Sequence, residues 1–145
     1  MGNRTSAVVF ALLCGAGVLG AVSAYGDRRS SLDSALRSSV DKLRAQLPTE
    51  VADGFTLVSA HQKPSALVYV FQGAFTGTKD EIDSRVLVFH RMRVRFLCTS
   101  RDVGSLLAQG VSFENVVVLE PMPAAGPAPA VKFVVQEKTC RSISI

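Results

Sequence analysis

Apolar residues recur at two different spacings along the chain, and the first spacing predicts a helix shortly after residue 30. The apolar positions there are three or four residues apart, as on one face of a helix. They are Leu32, Leu36, Val40, Leu43 and Leu47. Ser31 is suited to cap the start of this helix, and Pro48 ends it.

Four later segments have the alternating or continuous apolar pattern of strands. Residues 55–60 and 66–75 lie on either side of a short polar connection and predict a hairpin. Residues 111–119 and 131–137 predict a second pair of strands. The connection between them, residues 120–130, contains four prolines and is expected to form a stiff, exposed loop.

Residues 80–97 fit two patterns. At a period of 3.6 residues their apolar positions form the buried stripe of a helix, whereas at a period of two they form a strand with one basic face. That basic face would consist of Arg91, Arg93 and Arg95. The acidic start and the length of the segment favour the helix, and a shorter helix over residues 100–110 follows it.

The order of these elements predicts an α+β fold. An antiparallel sheet of about four strands would carry two or three helices on one face. Residues 31–145 are long enough to bury a core as a single domain. Residues 1–24 form a separate N-terminal segment, and residues 25–30 are interpreted as a linker.

Residues 7–24 are uncharged and predict an export signal or a membrane-anchoring helix. Val22 and Ala24 suit cleavage by a signal peptidase, while the length of the segment is close to that of a bilayer-spanning helix. Both interpretations stay open at this point. Each places the domain on the periplasmic side of the cell envelope, soluble in the periplasm or anchored to the inner membrane through residues 7–24.

Composition argues against several classes of function. The formal net charge is only +4, and basic residues do not alternate with aromatic ones, so nucleic-acid binding is not expected. No cysteine, histidine or carboxylate spacing is typical of a metal site, and we expect neither a metal nor another cofactor. The histidines, His61 and His90, are not spaced to activate a nucleophile, so no catalytic residue is assigned.

Cys98 and Cys140 are the cysteines that follow the N-terminal segment. An even number of cysteines in an exported domain predicts a disulfide bond between them. Two buried free thiols are the alternative.

One set of residues forms a candidate binding surface for an anionic partner, and it consists of Arg85, Arg91, Arg93, Arg95 and Arg101. Guanidinium groups bind phosphates and carboxylates with two parallel hydrogen bonds. The partner could therefore be an acidic protein, anionic lipid headgroups or a cell-envelope polymer. The alternative is a solvated helix face whose charge is balanced by nearby acids.

Several short motifs resemble small exported bacterial proteins of unassigned function. These motifs are Cys-Thr-Ser-Arg at residues 98–101, Leu106-Leu107, Gly-Val-Ser-Phe at residues 110–113 and a late cysteine, Cys140. Those proteins have a Leu-Pro pair after the first helix, and this chain has one at residues 47–48. The resemblance covers most of residues 31–140 and implies a shared fold and a disulfide bond, with no particular activity.

These observations together predict a noncatalytic cell-envelope domain that binds another envelope protein. A periplasmic inhibitor or immunity protein, with residues 120–130 inserted into the cleft of its partner, is one alternative. A small envelope hydrolase that uses His61 or His90 as its base is another. The sequence does not determine the oligomeric state.

Overall fold

The computed structural model describes residues 28–120 and 130–143. The predicted N-terminal segment, residues 1–24, and most of the proline-rich connection lie outside these residues. The described elements, in chain order, are α1 (Arg28–Arg44), β1 (Thr49–Ala52), β2 (Phe55–Lys63), β3 (Ala66–Ala74), α2 (Lys79–Thr99), α3 (Arg101–Ala108), β4 (Ser112–Glu120), β5 (Ala130–Val135) and α4 (Glu137–Arg141). The predicted α+β class is confirmed.

The sheet differs from the predicted antiparallel arrangement. Its five strands lie in the order β1-β2-β3-β4-β5, and β3 and β4 are parallel while the other neighbours are antiparallel. The chain leaves β3, forms α2 and α3, and returns to pair alongside β3. A connection of this length through helices is what parallel neighbours require, whereas antiparallel neighbours can be joined by a tight turn.

The additional strand is β1, which occupies residues between the first helix and the first predicted hairpin, where no strand was predicted. Val51 lies in it and is buried, while the residues on either side are partly or fully exposed. A single buried side chain in so short a strand leaves little alternation to detect. The turn is confined to Asp53 and Gly54, and the left-handed backbone of Gly54, with φ of 79°, allows β2 to start at once.

The helices pack on one face of the sheet. Helix α1 lies against β2, with Leu36, Val40 and Leu43 in the core, and Arg44 Nε donates to the Ala60 carbonyl oxygen at 2.8 Å. This helix begins at residue 28, so residues 28–30 belong to it and not to the predicted linker. Within the described ranges, no helix has both the length and the apolar character needed to cross a bilayer.

Residues 80–97 form a helix, as favoured over the strand. Thr78 caps the N-terminus of α2 through a reciprocal pair of hydrogen bonds with Glu81, which satisfies two backbone N–H groups that the helix itself leaves unbonded. The buried side of α2 carries Val86, Phe89 and Leu97, spaced as the helical pattern requires.

The opposite face of the sheet holds a carboxylate between two lysines. Glu114 of β4 accepts from Lys132 of β5, with Nζ 2.9 Å from Oε1, and pairs with Lys63 of β2, with Nζ 3.2 Å from Oε2. The Glu114 side chain is 14% exposed, while both lysines are about half exposed. The three residues therefore connect strands on both sides of β3.

These ion pairs predict a pH-dependent contribution to stability. Hydrogen bonds from Lys132 and then from Lys63 lower the pKa of Glu114 below its ordinary value of 4.5. A lowered pKa means that the stabilisation is fully present above the ordinary value and is lost as the pH falls through the folded-state value. We expect Glu114→Gln to lower the free energy of unfolding by about 1 kcal/mol at neutral pH.

Urea unfolding of both proteins across the acidic range would test this expectation. The difference between wild type and Glu114→Gln should shrink steadily as the pH falls through the carboxylate range. Glu50→Gln, on the exposed side of β1, is the matched control and should leave stability unchanged at neutral pH. A difference that is the same at all pH values would show that the effect is not electrostatic.

Candidate functional site

An apolar groove of about 280 Å³ runs between α2 and the β1–β2 turn. Its lining residues come from both elements and are Ala52, Asp53, Phe55, Ser84, Arg85, Val88, Phe89 and Met92. Most of this lining is apolar, and the groove is open to solvent along one side of the helix. Grooves with such a lining are common binding sites.

Two aromatic rings, Phe55 and Phe89, form the floor of the groove, and the ring of Phe75 packs against Phe55. The rings of Phe55 and Phe89 are stacked, with centroids 4.0 Å apart and an interplanar angle of 11°. The Phe75 ring meets Phe55 edge-on at 4.8 Å. Gly54 makes room for Phe75, because a Cβ atom at that position would clash with the Phe75 ring. The turn thus leaves space for the ring that packs against Phe55.

The rim of the groove on α2 is apolar and exposed. Val88 is 61% exposed and Met92 is 37% exposed, and because they are four residues apart they lie on the same face of the helix. Leu87, next to Val88, is 47% exposed. A group of exposed apolar residues beside an apolar groove is typical of an interaction surface.

Four of the five predicted arginines lie on the surface. Arg91 and Arg95 are exposed and one helical turn apart, and Arg85 lies in the groove wall with its guanidinium carbon 5.3 Å from the centre of the Phe75 ring. Arg101 is exposed at the start of α3. Within the described residues, no carboxylate forms a salt bridge with any of these four. The alternative interpretation, in which nearby acids balance the charge of these arginines, therefore has no salt bridge to support it among the described residues.

Arg93 does not belong to this surface, and its assignment to it is wrong. Its side chain is completely buried. Its Nε and Nη2 both donate to Asn115 Oδ1 at 3.2 Å, and its guanidinium carbon lies 5.4 Å from the Tyr69 ring centre and 5.3 Å from that of Phe71. The polar and aromatic contacts of this charge are therefore with other parts of the protein and not with solvent.

Asn115 is the structural residue that sequence reasoning missed. It lies midway between Phe113 and Val117 on the same face of β4, and both of these residues are buried on the helix-covered side of the sheet. The alternation along this strand is therefore a signal in the sequence that puts the Asn115 side chain in the core. A polar residue at such a position requires a buried hydrogen-bonding partner, which Arg93 provides.

The two cysteines and the two histidines lie apart from the groove. Cys98 and Cys140 are joined by a disulfide bond, with sulfur atoms 2.04 Å apart, which ties the end of α2 to α4. His90 packs against the Phe133 ring at 4.1 Å between centroids, and burial, with Arg91 adding a smaller effect, lowers the pKa of its imidazole. His61 lines a separate groove of about 400 Å³ between α1 and β2.

This second groove carries charged side chains of both signs. Asp33 and Asp41 line it together with Arg37, Arg44 and His61. Neither this groove nor any other part of residues 28–120 and 130–143 brings together three or more side chains of the kinds that bind metal ions.

No protein-family model and no curated protein matches this sequence. Solved structures do match its fold. The pilotin EpsS of the Vibrio vulnificus type 2 secretion system gives a TM-score of 0.59 at 15% identity, covering 77% of this chain and 94% of that chain. A Pseudomonas aeruginosa protein assigned as secreted gives 0.58 at 12% identity, covering 78% and 96%.

The pilotin AspS of the Vibrio cholerae type II secretion system gives a TM-score of 0.54 at 16% identity, with coverage of 77% and 94%. These identities are low, while nearly the whole of each solved chain is covered. The similarity therefore concerns architecture. This chain has the α+β fold found in two pilotins of type II secretion systems.

Proposed function

We propose that the protein is a noncatalytic domain of the cell envelope that binds another protein. The observation that carries this proposal is the exposed apolar rim of α2, with Val88 and Met92 beside a groove floored by stacked phenylalanines. Exposure of these side chains costs free energy in the isolated domain, and a partner that covers them would recover it.

Two further observations support the proposed location and partner class. The predicted export segment directs the domain to the periplasmic side of the envelope, soluble or anchored to the inner membrane. Proteins with this fold include pilotins, which are components of type II secretion systems, and a protein assigned as secreted. A binding domain with a protein partner in the envelope agrees with both.

The alternatives have less support in the described residues. The inhibitor or immunity protein was inferred from residues 120–130, most of which lie outside the described ranges. The hydrolase would use His61 or His90 as its base, with an aspartate or serine as partner. His90 packs on the Phe133 ring, and His61 lines the groove between α1 and β2. Among the described residues, no hydrogen bond or ion pair joins either imidazole to a serine or an aspartate.

The proposal can be tested by fractionation combined with chemical crosslinking. Cells that express the full chain with a C-terminal tag should hold it in the envelope or periplasmic fraction. An amine-reactive crosslinker that enters the periplasm should give a discrete heavier species containing the tagged chain and a second protein. A cytosolic location, or a tagged chain that remains alone at native expression level, would contradict the proposal.

A further inference from the structure

The geometry of the α2 groove points to an acidic, amphipathic segment of a protein as its occupant. We propose that an apolar side chain of this segment enters the groove over Phe55 and Phe89, while its carboxylates meet Arg91 and Arg95. This inference rests on the proposed function and defines the chemistry of the partner.

Shape favours a protein segment over a membrane surface. The groove is a concavity between a helix and a turn, with its aromatic floor buried below Val88 and Met92. A side chain that projects from a partner can fill such a depression and become fully desolvated, as anchor residues at protein interfaces do. The flat surface of a bilayer would cover the rim and leave the groove unfilled.

Charge favours an acidic occupant. Arg91 lies three residues after Val88 and Arg95 lies three residues after Met92, so each is next to the exposed apolar rim on the surface of α2, while Arg85 lines the groove itself. Two carboxylates lie in the same region: Asp53 lines the groove, and Glu81 is four residues before Arg85 on α2. Three arginines against these two carboxylates leave an excess of one positive charge, so this surface is mildly electropositive and complements carboxylates.

The spacing of the arginines defines what the partner should present. Arg91 and Arg95 are four residues apart on α2, about 6 Å along the helix axis at roughly 1.5 Å per residue. A partner helix with two carboxylates four residues apart would match this separation, with an apolar residue on the adjacent face directed at Val88. This arrangement corresponds to recognition of an amphipathic helix in a groove.

Site-specific photocrosslinking in the full chain would test the inference. A photoreactive benzophenone amino acid at Val88 should form an adduct with a partner protein in intact cells. Mass spectrometry of the adduct should locate the crosslink in a partner segment that contains apolar residues with nearby aspartate or glutamate. Val134 is the matched control, because it is an exposed valine on β5, away from the groove.

Removing the two surface charges should weaken this adduct without unfolding the domain. Arg91→Gln combined with Arg95→Gln should reduce the yield of the Val88 adduct about tenfold at low salt, the effect of two exposed ion pairs. The loss should be smaller at high salt, where screening has already weakened the attraction. Arg37→Gln combined with Lys42→Gln, exposed positions on α1, should leave the yield unchanged.

The possible results separate this inference from the proposed function. A partner that crosslinks at Val134 and not at Val88 would overturn the groove assignment and leave the protein-binding role intact. A lipid adduct, an adduct with a second copy of this chain, or a segment without acidic residues at Val88 would also overturn it. Failure of both the amine-reactive and the site-specific crosslinks would contradict both proposals.

Discussion

Replacing Arg93 with alanine should lower the free energy of unfolding by about 3–5 kcal/mol. The Arg93 side chain is fully buried between α2 and the sheet, where it donates twice to Asn115 and packs over the rings of Tyr69 and Phe71. Alanine would leave a cavity in the core and a buried amide oxygen without these two donors. Chemical denaturation of the two proteins would measure the loss.

Two further variants would separate lost volume from lost hydrogen bonds. Arg93→Met keeps most of the volume but removes the donors, and should cost about 1–3 kcal/mol for the unsatisfied Asn115 oxygen. Adding Asn115→Leu should then cost much less than it does in the wild-type background, because both polar partners are gone. Two additive effects would show that the pair is not coupled.

The neighbouring Arg95 provides the matched control. It is exposed on the same helix, so Arg95→Ala should change stability by no more than about 0.5 kcal/mol. Equal losses from the alanine variants of Arg93 and Arg95 would contradict the buried role of Arg93. The comparison also explains why a binding test must leave Arg93 unchanged: its replacement would destabilise the fold itself.

Loss of the disulfide should have an effect of similar size. Cys98 and Cys140 are 42 residues apart in sequence, and closing a loop of this length restricts the unfolded chain enough to stabilise the native state by about 4 kcal/mol. For a domain of this size, Cys140→Ser should lower the melting temperature by roughly 15 °C. Thermal unfolding followed by circular dichroism would measure the shift.

The chain supplies its own controls for the disulfide. Cys98→Ser should match Cys140→Ser, and the double variant should be no less stable than either, because each change breaks the same bond. Adding a reductant should lower the melting temperature of the wild type and leave the variants unaffected. Rapid alkylation of both thiols in the native, exported protein would show that the bond does not form in the cell.

Local features of the fold followed from the sequence because they depend on nearby residues. The spacing of Leu36, Val40 and Leu43 predicted α1, and the acidic start of residues 80–97 favoured the helix that the structure contains. Both predicted pairs of strands are antiparallel neighbours in the sheet. Periodicity reports which side of an element is buried, and this information is present in short stretches of chain.

Features of the candidate site were harder to predict. Val88 and Met92 were not singled out from the sequence, and nothing in their spacing indicates that the turn between β1 and β2 forms a groove beside them. The groove depends on Phe55 and Phe89, which are distant in sequence and stack only because β2 and α2 pack together. The groove is therefore a property of the tertiary structure that the sequence pattern does not contain.

The sequence by itself determined the α+β class, most helices and strands, and the pair of cysteines that the structure joins. Only the tertiary structure decided the strand order, the groove and the burial of Arg93. Arg93 lies four residues after Phe89 and four before Leu97, so helical spacing put it on the buried stripe, while its charge suggested solvent. In the structure Arg93 is buried, because Asn115 and the aromatic rings of β3 contact its guanidinium group. A buried charge is stable only where other parts of the chain supply such partners, and these partners are distant in sequence.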